Sequence, residues 1–248
     1  MNIINAPSPN FNERTLPVSM LVLHYTGMES GAAALERMCD PDAKVAAHYM
    51  VEEDGQVFKL VDESKRAWHA GVSSWGGQTN INSASIGIEI VNGGHDFGLP
   101  EFPDVQIQTV IKLSQDIKKR HNISDFDIVG HSDIAPGRKQ DPGEQFPWAK
   151  LADADIGIWP EVKTKDKRVL LDTRDTGTKH IRSVQSALRY LGYGIQINGI
   201  INSTTNHVVE AFQRRYRPEK IDGHMDVHTM ALLTLLVRYK QKISGGKV

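Results

Sequence analysis

A chain of 248 residues with 40% hydrophobic and 24% charged residues is long enough for two cores, which excludes a fibrous repeat or a disordered chain. A formal net charge of -1 excludes the broad cationic surface that a polyphosphate backbone demands, so nucleic acid is not an expected partner. Cys39 is the only cysteine, so no intrachain disulfide and no cysteine zinc ribbon can form, and any metal must be held by His and carboxylates.

The amino terminus, Met1 to Pro7, has neither the basic start nor the apolar run of a secretory signal, and no later stretch is long enough to span a bilayer. As written, the chain is expected in the cytoplasm, with export to the periplasm or cell wall by another route as the alternative. Met20–Tyr25 reads as a buried strand, followed by a helix of small residues through Ala32, Leu35 and Met38. Val45–Tyr49 and Gln56–Val61 read as neighbouring strands across Glu53-Asp54-Gly55, whose Asp-Gly pair suits a tight hairpin turn. Ser85–Val91 is a strand with Ile86, Ile88 and Ile90 on one face and Glu89 on the other. Pro103-Asp104 opens a helix through Ile107, Val110, Ile111 and Ile117 that ends in Lys118-Lys119-Arg120, where cations favour the helix dipole. Phe126–Val129 is a short strand that delivers Gly130-His131 at its carboxyl end, ahead of a long Gly- and Pro-rich loop. In open α/β sheets that end is where ligands collect.

Trp159-Pro160 and the charged run Glu161–Arg168, basic through Lys163, Lys165, Lys167 and Arg168, read as a connector. The expected division is residues 1–158, a linker at 159–175, and a second unit at 176–248. Three helical stripes follow: Ile181, Val184, Leu188 and Leu191, then Val208, Val209 and Phe212, then Met230, Leu233 and Val237. Ile197-Asn198-Gly199-Ile200-Ile201-Asn202 is echoed by Ile221-Asp222-Gly223-His224-Met225-Asp226, with Thr205 and Thr229 in matching places. Each copy reads as a Gly turn feeding a capped helix.

Of ten histidines, His24 ends the first strand and His131 ends the last, and Asp141 follows ten residues later. Two imidazoles and a carboxylate leave one position open, the ligand count of a catalytic zinc site. Zinc so held brings its bound water to a pKa near ~7 and polarises an amide carbonyl, which is the chemistry of amide hydrolysis. On spacing alone the alternatives stay open: hydrogen-bonded core histidines, a surface carboxylate at Glu89 and a loop cation at Lys139.

The segment Gly130-His131-Ser132-Asp133-Ile134-Ala135-Pro136-Gly137-Arg138-Lys139-Gln140-Asp141-Pro142-Gly143, then Phe146-Pro147-Trp148, resembles the signature loop of the type 2 N-acetylmuramoyl-L-alanine amidases. Leu23-His24-Tyr25-Thr26, Ala47-His48-Tyr49, Trp68-His69-Ala70-Gly71 and Ser85-Ile86-Gly87-Ile88-Glu89 resemble the same family in the same order. The resemblance implies an α/β fold, a mixed central sheet flanked by helices (the zinc amidase fold), followed by a small three-helix domain. It implies one Zn2+ on His24, His131 and Asp141, acid/base work at Glu89, and stabilisation of the developing oxyanion by Lys139. Tyr25, His48, Trp68 and His69 are expected at the substrate, although His48 also suits a supporting hydrogen bond. Trp68 and Trp75 each suit either stacking on a sugar or anchoring their loop from within. Within the wider superfamily, phage-lysozyme-type amidases and recognition proteins carry a catalytic Tyr where Ala47 stands, which moves proton transfer onto Glu89. Many recognition proteins use Cys where this chain has Asp141, which aligns it with the bacterial branch.

Val184-Gln185, Leu188, Leu191-Gly192-Tyr193, Asn198-Gly199-Ile200, Val209 and Phe212-Gln213 resemble a type 1 peptidoglycan-binding domain. The implied partner is peptidoglycan or its muropeptides. The implied activity is hydrolysis of the amide between the lactyl group of N-acetylmuramic acid, or its anhydro form, and L-alanine. The alternative is a non-catalytic peptidoglycan recognition protein of the same fold, against which the joint retention of His24, His131, Asp141, Glu89 and Lys139 speaks. A binding domain of this type acts as a tether, so deletion after Pro160 is expected to spare soluble muropeptide turnover and weaken attack on intact sacculi.

Overall fold

The strongest apolar runs become the central strands in a computed structural model of the chain, which describes residues 2–162 and 177–245. β3 (Met20–Tyr25) and β7 (Ser85–Ile90) pair in parallel with His24 opposite Glu89, and β8 (Ile128–Gly130) joins the other side of β3 with Gly130 opposite Leu23. β4 (Tyr49–Val51) runs parallel to β7, β5 (Val57–Lys59) returns antiparallel to β4, and β1 (Ile3–Asn5) closes the edge parallel to β5. The order β1-β5-β4-β7-β3-β8 is thus a mixed sheet, as the family resemblance implies. A separate ribbon pairs β2 (Phe11–Glu13) with β6 (Lys65–Ala67).

The Asp54-Gly55 turn forms where the sequence places it: Glu52 N donates to Gln56 O at 2.8 Å, and Gly55 takes φ +84°. Two strand boundaries move. Val45–Ala47 stays outside β4, with Ala46 N drawn to Trp68 O, while His48 just ahead of the strand bonds to both neighbours, its N donating to Gly87 O and its O accepting from Leu60 N. Phe126 sits in a 3-10 turn at Asp125–Asp127, capped by Ser124 Oγ, so the strand begins only at Ile128. The tail of the expected linker, with Lys163, Lys165, Lys167 and Arg168, lies outside the described residues.

On one face of the sheet, Leu21, Leu23, Ile86, Ile88, Ile90 and Ile128 pack against Ile107, Val110, Leu113 and Ile117 of α3 (Asp104–His121). Each such buried aliphatic stabilises the fold by roughly 1.5–3 kcal/mol relative to exposure. The opposite face is covered by the carboxyl-terminal helices α6 (Thr178–Leu191), α7 (Ser203–Tyr216) and α8 (Val227–Ile243). Met20, Val22, Trp75, Val129 and Ile134 form one apolar cluster with Val184, Leu188, Leu191, Tyr193, Val208 and Phe212.

The repeat seen in the sequence is a repeat of structure. Gln185 is wholly buried at the first Gly turn: its Oε1 accepts from Asn198 N and Gly199 N at 3.0 and 2.8 Å, while its Nε2 donates to Ile200 O at 3.0 Å. Gln213 repeats this at the second turn with Asp222 N, Gly223 N and His224 O at 2.9, 2.8 and 2.9 Å. Asn202 and Asp226 then cap α7 and α8 by accepting from Thr205 N and Thr229 N. The two units share one apolar cluster, so a cut between them is expected to cost the sheet its cover as well as any tether to polymer.

Candidate metal centre

Parallel strands that end together bring their last side chains together. His24 is the penultimate residue of β3, Glu89 is its register partner on β7, and His131 opens the short helix α4 (His131–Ile134) directly after β8. Asp141 reaches the same point from the following loop, which passes close over β8 because residue 130 is glycine: a Cβ there would lie 2.7 Å from Pro142 Cδ. His24 Nδ1 lies 2.9 Å from Asp141 Oδ2 and 3.0 Å from His131 Nδ1, and His131 Nδ1 lies 3.0 Å from Asp141 Oδ2. All three residues are buried, and among the described residues this is the triplet whose ligand atoms fall within 4.8 Å of one another.

Hydrogen bonds behind the triplet set the tautomers. Ser85 Oγ donates to Ile81 O at 2.7 Å, so toward His69 Nε2, 3.3 Å away, it acts as acceptor. That leaves His69 Nδ1 to accept from His24 Nε2 at 3.0 Å. His131 Nε2 lies 3.0 Å from Ala70 O, which can only accept, and farther, 3.3 Å, from Arg138 Nη2, which can only donate; the shorter contact makes it the donor to Ala70 O. Both Nδ1 atoms therefore carry lone pairs aimed at each other and at a carboxylate. Three converging lone pairs in a buried space repel unless a cation lies between them, so the donor set fits a divalent metal. His69 fits over the strand because residue 87 is glycine, where a Cβ would stand 2.7 Å from the imidazole. Its loop is held by Asn82 Oδ1, which accepts from His69 N and Ala70 N at 3.0 and 2.7 Å.

The electrostatics divide the acids. Burial pushes the Glu89 carboxyl well above the ordinary carboxylate range, Asp141 adds to this, and the Lys139 cation opposes it. Its Oε2 is sealed from solvent without a hydrogen-bond partner among the described residues. Burial acts to raise Asp141, and the two facing imidazoles, when they carry protons at Nδ1, pull it well below the usual range. Lys139 itself is exposed.

The other expected substrate residues separate. His48 is fully buried, accepting from Gly87 N at 2.9 Å and donating to Lys65 O at 3.1 Å, so it braces β4 against its neighbours, the supporting role its motif also suits. His69 orients His24 and does not line an open surface. Trp68 is tied to the ribbon through Nε1 and Asn12 Oδ1 at 2.8 Å, whereas Tyr25, half-buried, points its hydroxyl at His95 Nδ1, 2.9 Å away. Trp75 is an anchor, buried with its Nε1 donating to Asp127 at 3.2 Å and its ring edge-on to Tyr193. Ser85, Asn82, Arg138 and Asp133 complete the setting of the triplet and were not assigned from sequence. Asp133 and Arg138 lie inside the signature loop and Ser85 opens a second family motif, whereas Asn82 lies in none of these segments.

Buried imidazoles make the metal-free protein acid-sensitive. Burial first, then neighbouring charges, hold His48 at about 3 and His24 at about 4, against 6.5 unperturbed. Below pH 6.5 the unfolded chain binds protons at these positions that the folded chain refuses, so stability rises with pH and is lost on acidification. Between pH 7 and 5 the His48 contribution is roughly 2 kcal/mol. The melting temperature of chelator-treated protein is expected to fall steadily over that range, and a flat profile would contradict the burial of neutral imidazoles.

A mixed sheet with a His-His-Asp set at its parallel strand ends, beside a half-buried glutamate whose Oε2 is sealed from solvent, defines a hydrolase of the metal-dependent amidase class. A family model described as N-acetylmuramoyl-L-alanine amidase matches residues 14–144, and a peptidoglycan binding domain model matches residues 178–233. The chain belongs to the N-acetylmuramoyl-L-alanine amidase family. It is similar to the amidase AmiD of Escherichia coli (strain K12), with 34% identity over 239 residues, 90% of this chain and 84% of that protein. The solved complex of AmiD from E. coli with the substrate anhydro-N-acetylmuramic acid-L-Ala-D-γ-Glu-L-Lys superposes with a TM-score of 0.78 at 33% identity, covering 92% of each chain. AmpDh3 from Pseudomonas aeruginosa, solved with anhydromuramic pentapeptide, gives 0.75 at 32% identity over 90% of this chain and 92% of that one. Similarity to relatives named as amidases favours the catalytic reading over a recognition protein without activity. Among the described residues, no helix is long and apolar enough to cross a membrane.

Proposed function

We propose that His24, His131 and Asp141 hold one Zn2+, and that Glu89 and Lys139 use it to cleave the amide between the lactyl group of N-acetylmuramic acid, or its anhydro form, and L-alanine. The observation that carries the reading is the pair of Nδ1 atoms 3.0 Å apart, each within 3.0 Å of the Asp141 carboxylate. Zinc in such a site supplies a Lewis acid that polarises the amide carbonyl and acidifies water. Glu89 takes the proton of the attacking water and delivers it to the departing L-alanine nitrogen, breaking the C–N bond. Its high proton affinity suits the second half of that task, and the Lys139 cation draws it toward the range needed for the first. Lys139 also faces the negative charge that develops on the carbonyl oxygen. Tyr25, on the strand end beside His24, and Trp68, both half-buried, are the residues of the expected substrate set that stay available for the muropeptide.

The chain divides, in this reading, into a catalytic unit at 1–158, a linker at 159–175 and a peptidoglycan-binding unit at 176–248. The polymer-binding type of the second unit favours a site of action at the cell wall, reached by export. Mass spectrometry of digests of sacculi and of soluble anhydro-muropeptides tests the activity. Stem peptides with a free L-alanine amine are expected, together with sugars that keep an intact lactyl acid, and chelator should remove both products. Undiminished cleavage in chelator, or a cut elsewhere in the stem, rejects the proposal.

A further inference from the structure

The carboxyl-terminal unit touches the metal centre's scaffold at one buried ion pair. Asp133 is fully buried in α4, two residues after His131. Its Oδ2 accepts from Gly130 N at 2.9 Å and from Arg215 Nη1 at 2.8 Å, and its Oδ1 accepts from Tyr193 OH at 2.7 Å. Arg215 Nη2 donates to Ile128 O at 2.8 Å, so one guanidinium from α7 grips both the start of β8 and the turn that follows it. The same guanidinium lies over the Trp148 ring, 4.3 Å from its centroid. Along the same side of α7, His207 abuts Gly137, where a Cβ would come within 2.3 Å of its ring, and Arg214 Nε lies 3.6 Å from Glu144. Ser132 N donates to Asp141 O at 2.9 Å, so a shift of this turn moves two of the three candidate ligands together.

We infer that Arg215 is a positioning residue for the metal centre, acting through Asp133 to fix His131 and Asp141, so that the peptidoglycan-binding unit is part of the metal site's support. This rests on His131 being a zinc ligand. Partners that orient ligands without touching the metal typically govern 10- to 100-fold in metal affinity. In the full chain, Arg215→Met is therefore expected to weaken zinc binding by about 10- to 100-fold in competition with a chromophoric chelator. It should also alter the visible absorption of the cobalt-substituted protein. Arg215→Lys keeps the charge without the two-pronged grip and is expected to fall between. Should Arg215→Met not fold, the double variant Arg215→Met/Asp133→Asn leaves no lone buried charge and takes its place in the same measurement. Parent-like zinc affinity and cobalt spectrum in whichever of these variants folds overturn the inference. His131→Ala separates the two layers of the argument. If it retains stoichiometric zinc, the ligand assignment itself fails; if it loses zinc while the Arg215 variants bind normally, only the positioning role fails.

Discussion

Replacing Glu89 by Gln is expected to reduce turnover by about 10²- to 10⁴-fold while zinc stays at one per chain. The two side chains have nearly the same shape, so the change isolates the proton. Glu89 stands across from His24 in the β3–β7 register but contributes no atom to the His24–His131–Asp141 triplet, so losing its charge leaves the ligand set intact. An amide can neither take a proton from water nor deliver one to a leaving amine. The substitution should also be tolerated by the fold, because burial already disfavours charge on the native carboxyl and its Oε2 has no hydrogen bond to lose among the described residues. Steady-state kinetics on a soluble anhydro-muropeptide, with metal content measured on the same sample, decide the matter. Turnover within about tenfold of the parent would assign the proton to another group.

Cutting the chain after Pro160 is expected to destroy the catalytic unit's stability, and not merely its hold on the polymer. The cut exposes Met20, Val22, Trp75, Val129 and Ile134 on the sheet face that α6, α7 and α8 cover. Each large apolar side chain returned to water forfeits roughly 1.5–3 kcal/mol. Asp133 also loses Arg215 and Tyr193, two of the hydrogen-bond partners that fix its turn. Against a typical net stability of about 5–15 kcal/mol, these losses leave little folded protein. Circular dichroism melting and turnover of small muropeptides should therefore fail together in the truncated chain. A cooperative melt with parent-like turnover of soluble substrate would restore the tether picture.

The three candidate ligands were legible because each sits at a place that local pattern marks: the end of an apolar strand for His24 and His131, a Pro-Gly loop for Asp141. Glu89 was legible for a related reason, since strand alternation sets it opposite the isoleucine row, although its burial was not. His48 and His69 mark the limit. Both lie in motifs that resemble the family, yet one bonds Gly87 and Lys65 backbone while the other bonds His24, and partners 17 to 45 residues away leave no trace in spacing. Ser85 and Asn82 escaped notice for the same reason, being small polar residues whose role exists only once His69 lies over Gly87.

Apolar periodicity, turn chemistry and separated motifs were enough to specify the strands β3 and β7, the helix α3, the Asp54-Gly55 turn and the doubled Gly-turn unit of the tail, since each depends on residues close along the chain. Whether the tail stands apart or completes the sheet's second face had no such local signature. A stripe such as Val184, Leu188 and Leu191 records that a helix must bury one side, but not against what. That choice was made by packing and by charges such as Arg215 and Asp133, 82 residues apart, which meet only when the chain has closed on itself. Hydrophobic burial is non-directional, so its partners are selected by the assembled shape of the whole molecule.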